Sequence, residues 1–125
     1  HDCGKLINPA LAEAQVHGGM SMAIGYGLSE QLLFDEKTGR PLNNNLLDYK
    51  IPTCMDIPDM EIRFVETHED SAPFGAKGLA EPPLIPQAAA VRNAILHATG
   101  VGMHKLPMNP QNLVHAFGEA GLIAQ

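Results

Sequence analysis

The sequence predicts an α+β fold: a two-layer domain with helices packed on a mixed β-sheet. Three observations predict it. An Asn-Pro pair opens a helical pattern twice, at Asn8-Pro9 and at Asn109-Pro110, as an N-cap followed by proline at the first helical position would. Glu61 to Thr67 alternates polar and apolar residues at the period of a half-buried strand. The order helix, strands, helix, helix then suits one core between two layers. A chain of 125 residues is long enough for one domain, spanning 1–125.

The first helix is expected from Pro9 to about Leu28. One of its stripes is apolar, with Val16, Met20, Ala23, Ile24 and Gly27. Another is small, with Ala14, Gly18, Ser21 and Gly25. Glycine inside a helix costs about 1 kcal/mol relative to alanine, so this helix makes sense where a backbone, a cofactor or a sheet packs very close. Gln31 to Asp35 reads as a short strand, and the turn Glu36 to Pro41 makes a hairpin of it. Pro52 and Pro58 break the chain on either side of Thr53 to Ile57. In the alternating strand Ile62 and Phe64 point inward, joined by Val65 on one count, while Glu61, Arg63 and Glu66 are polar. Leu84, Ala88, Val91, Ile95 and Ala98 repeat at helical spacing, ended by Gly100 and Gly102. The last helix is expected from Pro110 to about Ala120.

Composition removes several classes of function. A net charge of −6, with no run of Lys or Arg, argues against a nucleic-acid surface. No apolar run is long enough for a membrane-spanning helix. Cys3 and Cys54 provide neither a disulfide framework nor a CxxC site, and a reducing, cytoplasmic setting is the simple expectation. The chain starts at His1 without Met, which suggests a piece of a longer polypeptide. None of the six histidines has metal-ligand spacing, so no protein metal site is expected. Ser21 and Ser29 lack a GxSxG context, and neither Gly4-Lys5 nor Gly75-Ala76-Lys77-Gly78 is a P-loop.

Two places carry candidate chemistry. Pro73 to Pro86 begins as a glycine-rich loop, delivers Lys77 and Glu81, then meets Pro82-Pro83. Gly75 and Gly78 permit positive φ and close approach to a ligand. Pro82 is expected to hold Glu81 in extended geometry. A carboxylate on a stiffened backbone suits a base, and Lys77 four residues earlier suits an anion. Equally, Glu81 suits a plain helix-start acid that complements the dipole. Gln15 adjoins the small stripe, and its amide matches the edge of a heteroaromatic ring. An exposed helix glutamine with no partner is the plain alternative.

The string Gly75-Ala76-Lys77-Gly78-Leu79-Ala80-Glu81-Pro82-Pro83 resembles the active-site segment of the xanthine dehydrogenase/aldehyde oxidase family of molybdenum hydroxylases. Other strings resemble the same family in the same order. They are Asp2-Cys3-Gly4-Lys5-Leu6-Ile7-Asn8-Pro9, Gln15-Val16-His17-Gly18-Gly19, Tyr49-Lys50-Ile51-Pro52-Thr53, Asp56-Ile57-Pro58 and Ala90 to Ile95. The resemblance covers almost the whole chain and implies the C-terminal part of a molybdopterin-binding domain.

What it implies is specific. Glu81 matches the family's general base in hydroxylation of an N-heterocycle, purine-like, or an aldehyde with water-derived oxygen. Gln15 matches the glutamine that hydrogen-bonds the pterin. Lys77, Gly78, Leu79 and Ala80 match loop residues whose backbone lies against the cofactor. That cofactor is a molybdopterin-type molybdenum cofactor, the cytosine dinucleotide form being one candidate, and the protein's part is orientation and proton handling. Implied partners are the remainder of the molybdopterin subunit, iron–sulfur and FAD subunits or domains, and a small-molecule substrate. Arg92-Asn93-Ala94-Ile95 leans toward the bacterial purine-type members. The family commonly has glycine where Ala80 stands, and alanine would be strained there if the position needed positive φ. A non-catalytic docking or assembly module of the same fold is the alternative that this departure suggests.

Overall fold

The computed structural model describes residues 1–124 and contains three α-helices. They are α1, Pro9–Leu28; α2, Gln87–Thr99; and α3, Pro110–Glu119. Two 3₁₀ turns, Pro73–Gly75 and Pro82–Leu84, flank the glycine-rich loop. Both Asn-Pro signals act as read. The Asn8 side chain accepts from Leu11 N and the Asn109 side chain from Asn112 N, each satisfying an orphan donor of the first turn. Gly100 closes α2 at φ 74, where a Cβ would be penalised.

The expected β-sheet is not formed. Among the described residues there are two isolated antiparallel bridges, Gly4–Ala76 and Phe34–Pro41, and the segment is mostly helical. The physical reason is visible at Glu61 to Thr67. Ile62 and Phe64 are indeed half-buried between exposed neighbours, so the alternation is real. A strand also needs a neighbour that pairs its N–H and C=O groups. Among the described residues only His1 does so, donating its ammonium to Arg63 O and accepting from Val65 N, each at 3.0 Å. The hairpin survives in minimal form. Its Phe34–Pro41 bridge is supported by Asp35, whose Oδ1 accepts from Lys37 N, Thr38 N and Thr38 Oγ1. Leu84, expected inside a helix, belongs instead to the second 3₁₀ turn.

The core is thin. Cys3, Ala12, Val16, Ala23, Ala88, Met103 and Met108 are buried in it, and among the described residues Met108, 1% exposed, is the one large side chain fully enclosed. The small stripe of α1 is what allows this packing. A Cβ on Gly27 would touch Ala88 of α2 at 3.6 Å, and Met108 N donates to Gly27 O at 2.7 Å. A Cβ on Gly25 would collide with the Glu30 carboxylate, which also accepts from the Tyr49 hydroxyl at 2.8 Å. Of the close neighbours expected for this helix, a helix and the 80–84 segment are present and a sheet is not.

The exposed area is 8830 Å², against about 6,500 Å² for a compact protein of this mass. Leu46, Leu47, Met55 and Phe74 are each more than 80% exposed.

Candidate functional site

The site is built where the glycine-rich loop crosses α1. Gly19 sets the approach. A Cβ there would lie 3.4 Å from Pro83 Cβ and 3.5 Å from both Ala80 O and Leu84 N. The buried ring of Pro83 therefore rests on the helix, and the Tyr26 hydroxyl holds the turn by donating to Leu84 O at 3.3 Å. Glu81 leads into this turn.

The N-terminal end of the loop is fixed separately. Lys77 N donates to Cys3 O at 2.7 Å and Lys5 N to Gly75 O at 2.9 Å, clipping residues 3–5 to residues 75–77. Glycine is required on both sides of the clip. Gly4 has φ 68, and its Cβ would meet Gly75 O, Lys77 N and Ala76 C, all backbone atoms. Gly75 has φ 77 and the His68 ring lies against it. Gly78 needs neither freedom: its φ is not positive, and a Cβ would meet nothing within 4 Å.

The loop is also tied through a side chain. Asp2 Oδ1 accepts from Gly4 N at 2.8 Å and from Thr67 Oγ1 at 2.7 Å, and Asp2 Oδ2 accepts from Lys77 Nζ at 2.7 Å. Lys77 first, then Gly4 and Thr67, hold the Asp2 carboxyl down at about 2. The Lys77 ammonium is therefore turned to Asp2, not left free for an anion as the loop spacing suggested. Glu69 is lowered as well, chiefly by the Ser71 hydroxyl and N–H and to a smaller degree by Lys77.

The structure brings the sequence candidates together around Gln15. One cavity of about 340 Å³ is lined by Gln15, Gly18, Gly19, Met22, Ala80, Glu81 and Leu84. A second, of about 300 Å³, includes Gln15, Lys77 and Leu79 in its wall. Gln15 thus stands between the loop residues and the carboxylate. Gly18 opens the first cavity, since a Cβ there would meet nothing within 4 Å. Gln15 and Glu81 are both exposed, so the face is open to a large ligand. Gly78 lies outside both walls, and the His1 ring contacts its carbonyl at 3.3 Å.

One local expectation needs correction, and one condition is answered. Glu81 is not extended: it has φ −78 and ψ −35. The bias that a following proline imposes is overcome because Leu84 N donates to Glu81 O at 2.8 Å, closing the turn. Ala80 is not strained, for the non-glycine residue at positive φ among the described residues is Phe74, at φ 57. Spacing alone missed Asp2, Thr67 and Tyr26 as loop anchors. Asp2 belongs to the lead-in string quoted above, which was the available signal.

A cluster of three or more metal-ligating side chains does not occur among the described residues, nor does a helix long and apolar enough to cross a membrane. The cavity beside Gly18 and Gly19 carries one amide, Gln15, and one carboxylate, Glu81, in its wall.

Residues 1–58 match the molybdopterin cofactor-binding domain family. The chain is 53% identical over 123 residues to the xanthine dehydrogenase molybdenum-binding subunit of Escherichia coli O157:H7, covering 98% of this chain and 16% of that one. It is 41% identical over 118 residues to the nicotine 6-hydroxylase large subunit of Paenarthrobacter nicotinovorans, covering 92% and 14%. Among solved structures, quinoline 2-oxidoreductase from Pseudomonas putida 86 superposes with a TM-score of 0.86 at 37% identity, covering 94% of this chain and 15% of that one. The chain therefore spans about a sixth of the length of such relatives.

Proposed function

Since this chain belongs to the xanthine dehydrogenase/aldehyde oxidase family, as a segment of its molybdenum-binding subunit, we propose that it forms one wall of a molybdenum hydroxylase active site with Glu81 as general base. The observation that carries this is the cavity shared by Gln15 and Glu81. When bound, the molybdopterin cofactor supplies the redox chemistry that puts a water-derived oxygen onto the substrate. The protein residues do the rest. The Gln15 amide has donors and an acceptor for the pterin edge. The backbone of Lys77, Leu79 and Ala80, in the walls of the two cavities, would lie along the cofactor. The Glu81 carboxylate accepts the proton that the attacking oxygen gives up, and its place on a turn fastened to α1 holds it near attack geometry.

The substrate is an N-heterocycle, purine-like, in preference to an aldehyde. Three relatives support the N-heterocycle, since xanthine, nicotine and quinoline are all N-heterocycles, while an aldehyde oxidoreductase molybdenum-binding subunit of Escherichia coli K12, 36% identical, makes an aldehyde the second reading. The electrons leave through iron–sulfur and FAD subunits or domains in a cytoplasmic complex. The remainder of the molybdenum-binding subunit covers the apolar surface that this segment exposes. Molybdenum and pterin analysis of the complete complex tests the proposal. Gln15→Leu should lower the bound pterin several-fold, because an amide facing a polar ring edge is replaced by a group that leaves it unpaired. Undiminished pterin in that variant would remove Gln15 from the site.

A further inference from the structure

We infer that Asp2 is a positioning residue that withholds the Lys77 ammonium from Glu81, so that the carboxylate stays free to act as a base. This rests on Glu81 being the base, as proposed above. Lys77 is the cation nearest to Glu81 in sequence, with Gly78, Leu79 and Ala80 between them. Four residues span at most about 14 Å, and a bend at Ala80 and Glu81 shortens the path further. A Lys77 side chain released from Asp2 would therefore have the Glu81 carboxylate as the acid next along its own loop. A lysine paired with Glu81 would occupy the lone pairs that a base must offer.

The geometry points elsewhere. The Lys77 side chain turns back to Asp2 Oδ2 at 2.7 Å. Asp2 is itself held in place, because its other oxygen accepts from Gly4 N and Thr67 Oγ1. The Lys77 backbone is clipped to Cys3 O, which aims the side chain at the N-terminal segment. Lys5, the other cation of that segment, is taken up by Glu66 at 2.9 Å. The cavity beside Glu81 has no second charged side chain in its wall. The Asp2 pair therefore holds the loop's own cation away from the carboxylate.

The division of labour between the Asp2 oxygens makes a clean test. Asp2→Asn keeps an Oδ1 that accepts from Gly4 and Thr67, and replaces Oδ2 by an amide that cannot accept from Lys77. In the complete molybdenum-loaded complex this variant should lose about fivefold in kcat, the scale of an exposed ion pair, with KM little changed. Part of the loss should return at high salt, which screens such a pair. Asp2→Glu, which keeps the charge, should retain most of the turnover. The salt dependence is the decisive readout, because a loss of merely structural origin would not return with salt. An Asp2→Asn enzyme with normal kcat, a loss that salt does not relieve, or loss of molybdenum from Asp2→Asn would each overturn the inference. Glu81→Gln measured alongside separates the two claims. Activity kept there removes the base itself, whereas activity lost there with a salt-insensitive loss in Asp2→Asn removes only the role of Asp2.

Discussion

Gly4→Ala should break the clip that anchors the loop. Gly4 sits at φ 68, and its Cβ would meet Gly75 O, with Lys77 N at 3.0 Å and Ala76 C at 3.1 Å. None of these is the flexible end of a side chain, so the strain has nowhere to go. Left-handed geometry costs a non-glycine residue about 1–2 kcal/mol. Separating the strands also gives up Lys5 N to Gly75 O and Lys77 N to Cys3 O, each worth about 0.5–1.5 kcal/mol. The total is about 2–5 kcal/mol of local stability. Since about 1.4 kcal/mol is tenfold, native-state hydrogen exchange at the Lys5 and Lys77 amides should speed up by at least about 30-fold. The assay is exchange mass spectrometry on the complete complex, with peptides from α3 as internal reference. Unchanged protection at both amides would refute the claim that this clip fixes the loop.

Two other perturbations separate fold from site. Gly18→Ala should leave α1 as stable or up to about 1 kcal/mol more stable, since its Cβ meets nothing, yet lower the molybdenum content because the methyl enters the cavity wall beside Gln15 and Glu81; full metal loading would count against that cavity. Asp2 gives a pH dependence. Its carboxyl is held at about 2, below the ordinary 3.8, so its stabilisation of the clip is complete above about pH 4 and is lost as the pH falls through 2. Exchange at Lys77 followed between pH 5 and pH 2, corrected for intrinsic rates, should show protection falling in that window, and Asp2→Asn should flatten the curve.

The helices were legible in the sequence because their signals are local. Asn8, Asn109 and Gly100 act on partners within four residues, and residues that close together in the chain are bound to meet. The sheet was misjudged because alternation at Ile62 and Phe64 reports only burial. Pairing depends on a neighbouring strand, and the pattern within one segment does not specify it. The site divides the same way. Gln15 and Glu81 were found through strings typical of a family, and the packing of Gly19 on Pro83 explains why they share a cavity. Asp2 and Lys77 are separated by 75 residues, and no local spacing announces such a pair. The reading of Pro82 erred because the rule for the residue before proline is a bias, which one hydrogen bond across the turn reversed.

The central claim is that Glu81 is the base of a molybdenum site. Its most direct test is Glu81→Gln in the complete complex, with turnover, molybdenum and pterin measured on one preparation. The substitution keeps size and polarity but removes the proton acceptor. Turnover should fall by about 10²–10⁴-fold while molybdenum and pterin stay at wild-type levels. Wild-type turnover in the fully loaded variant would contradict the account.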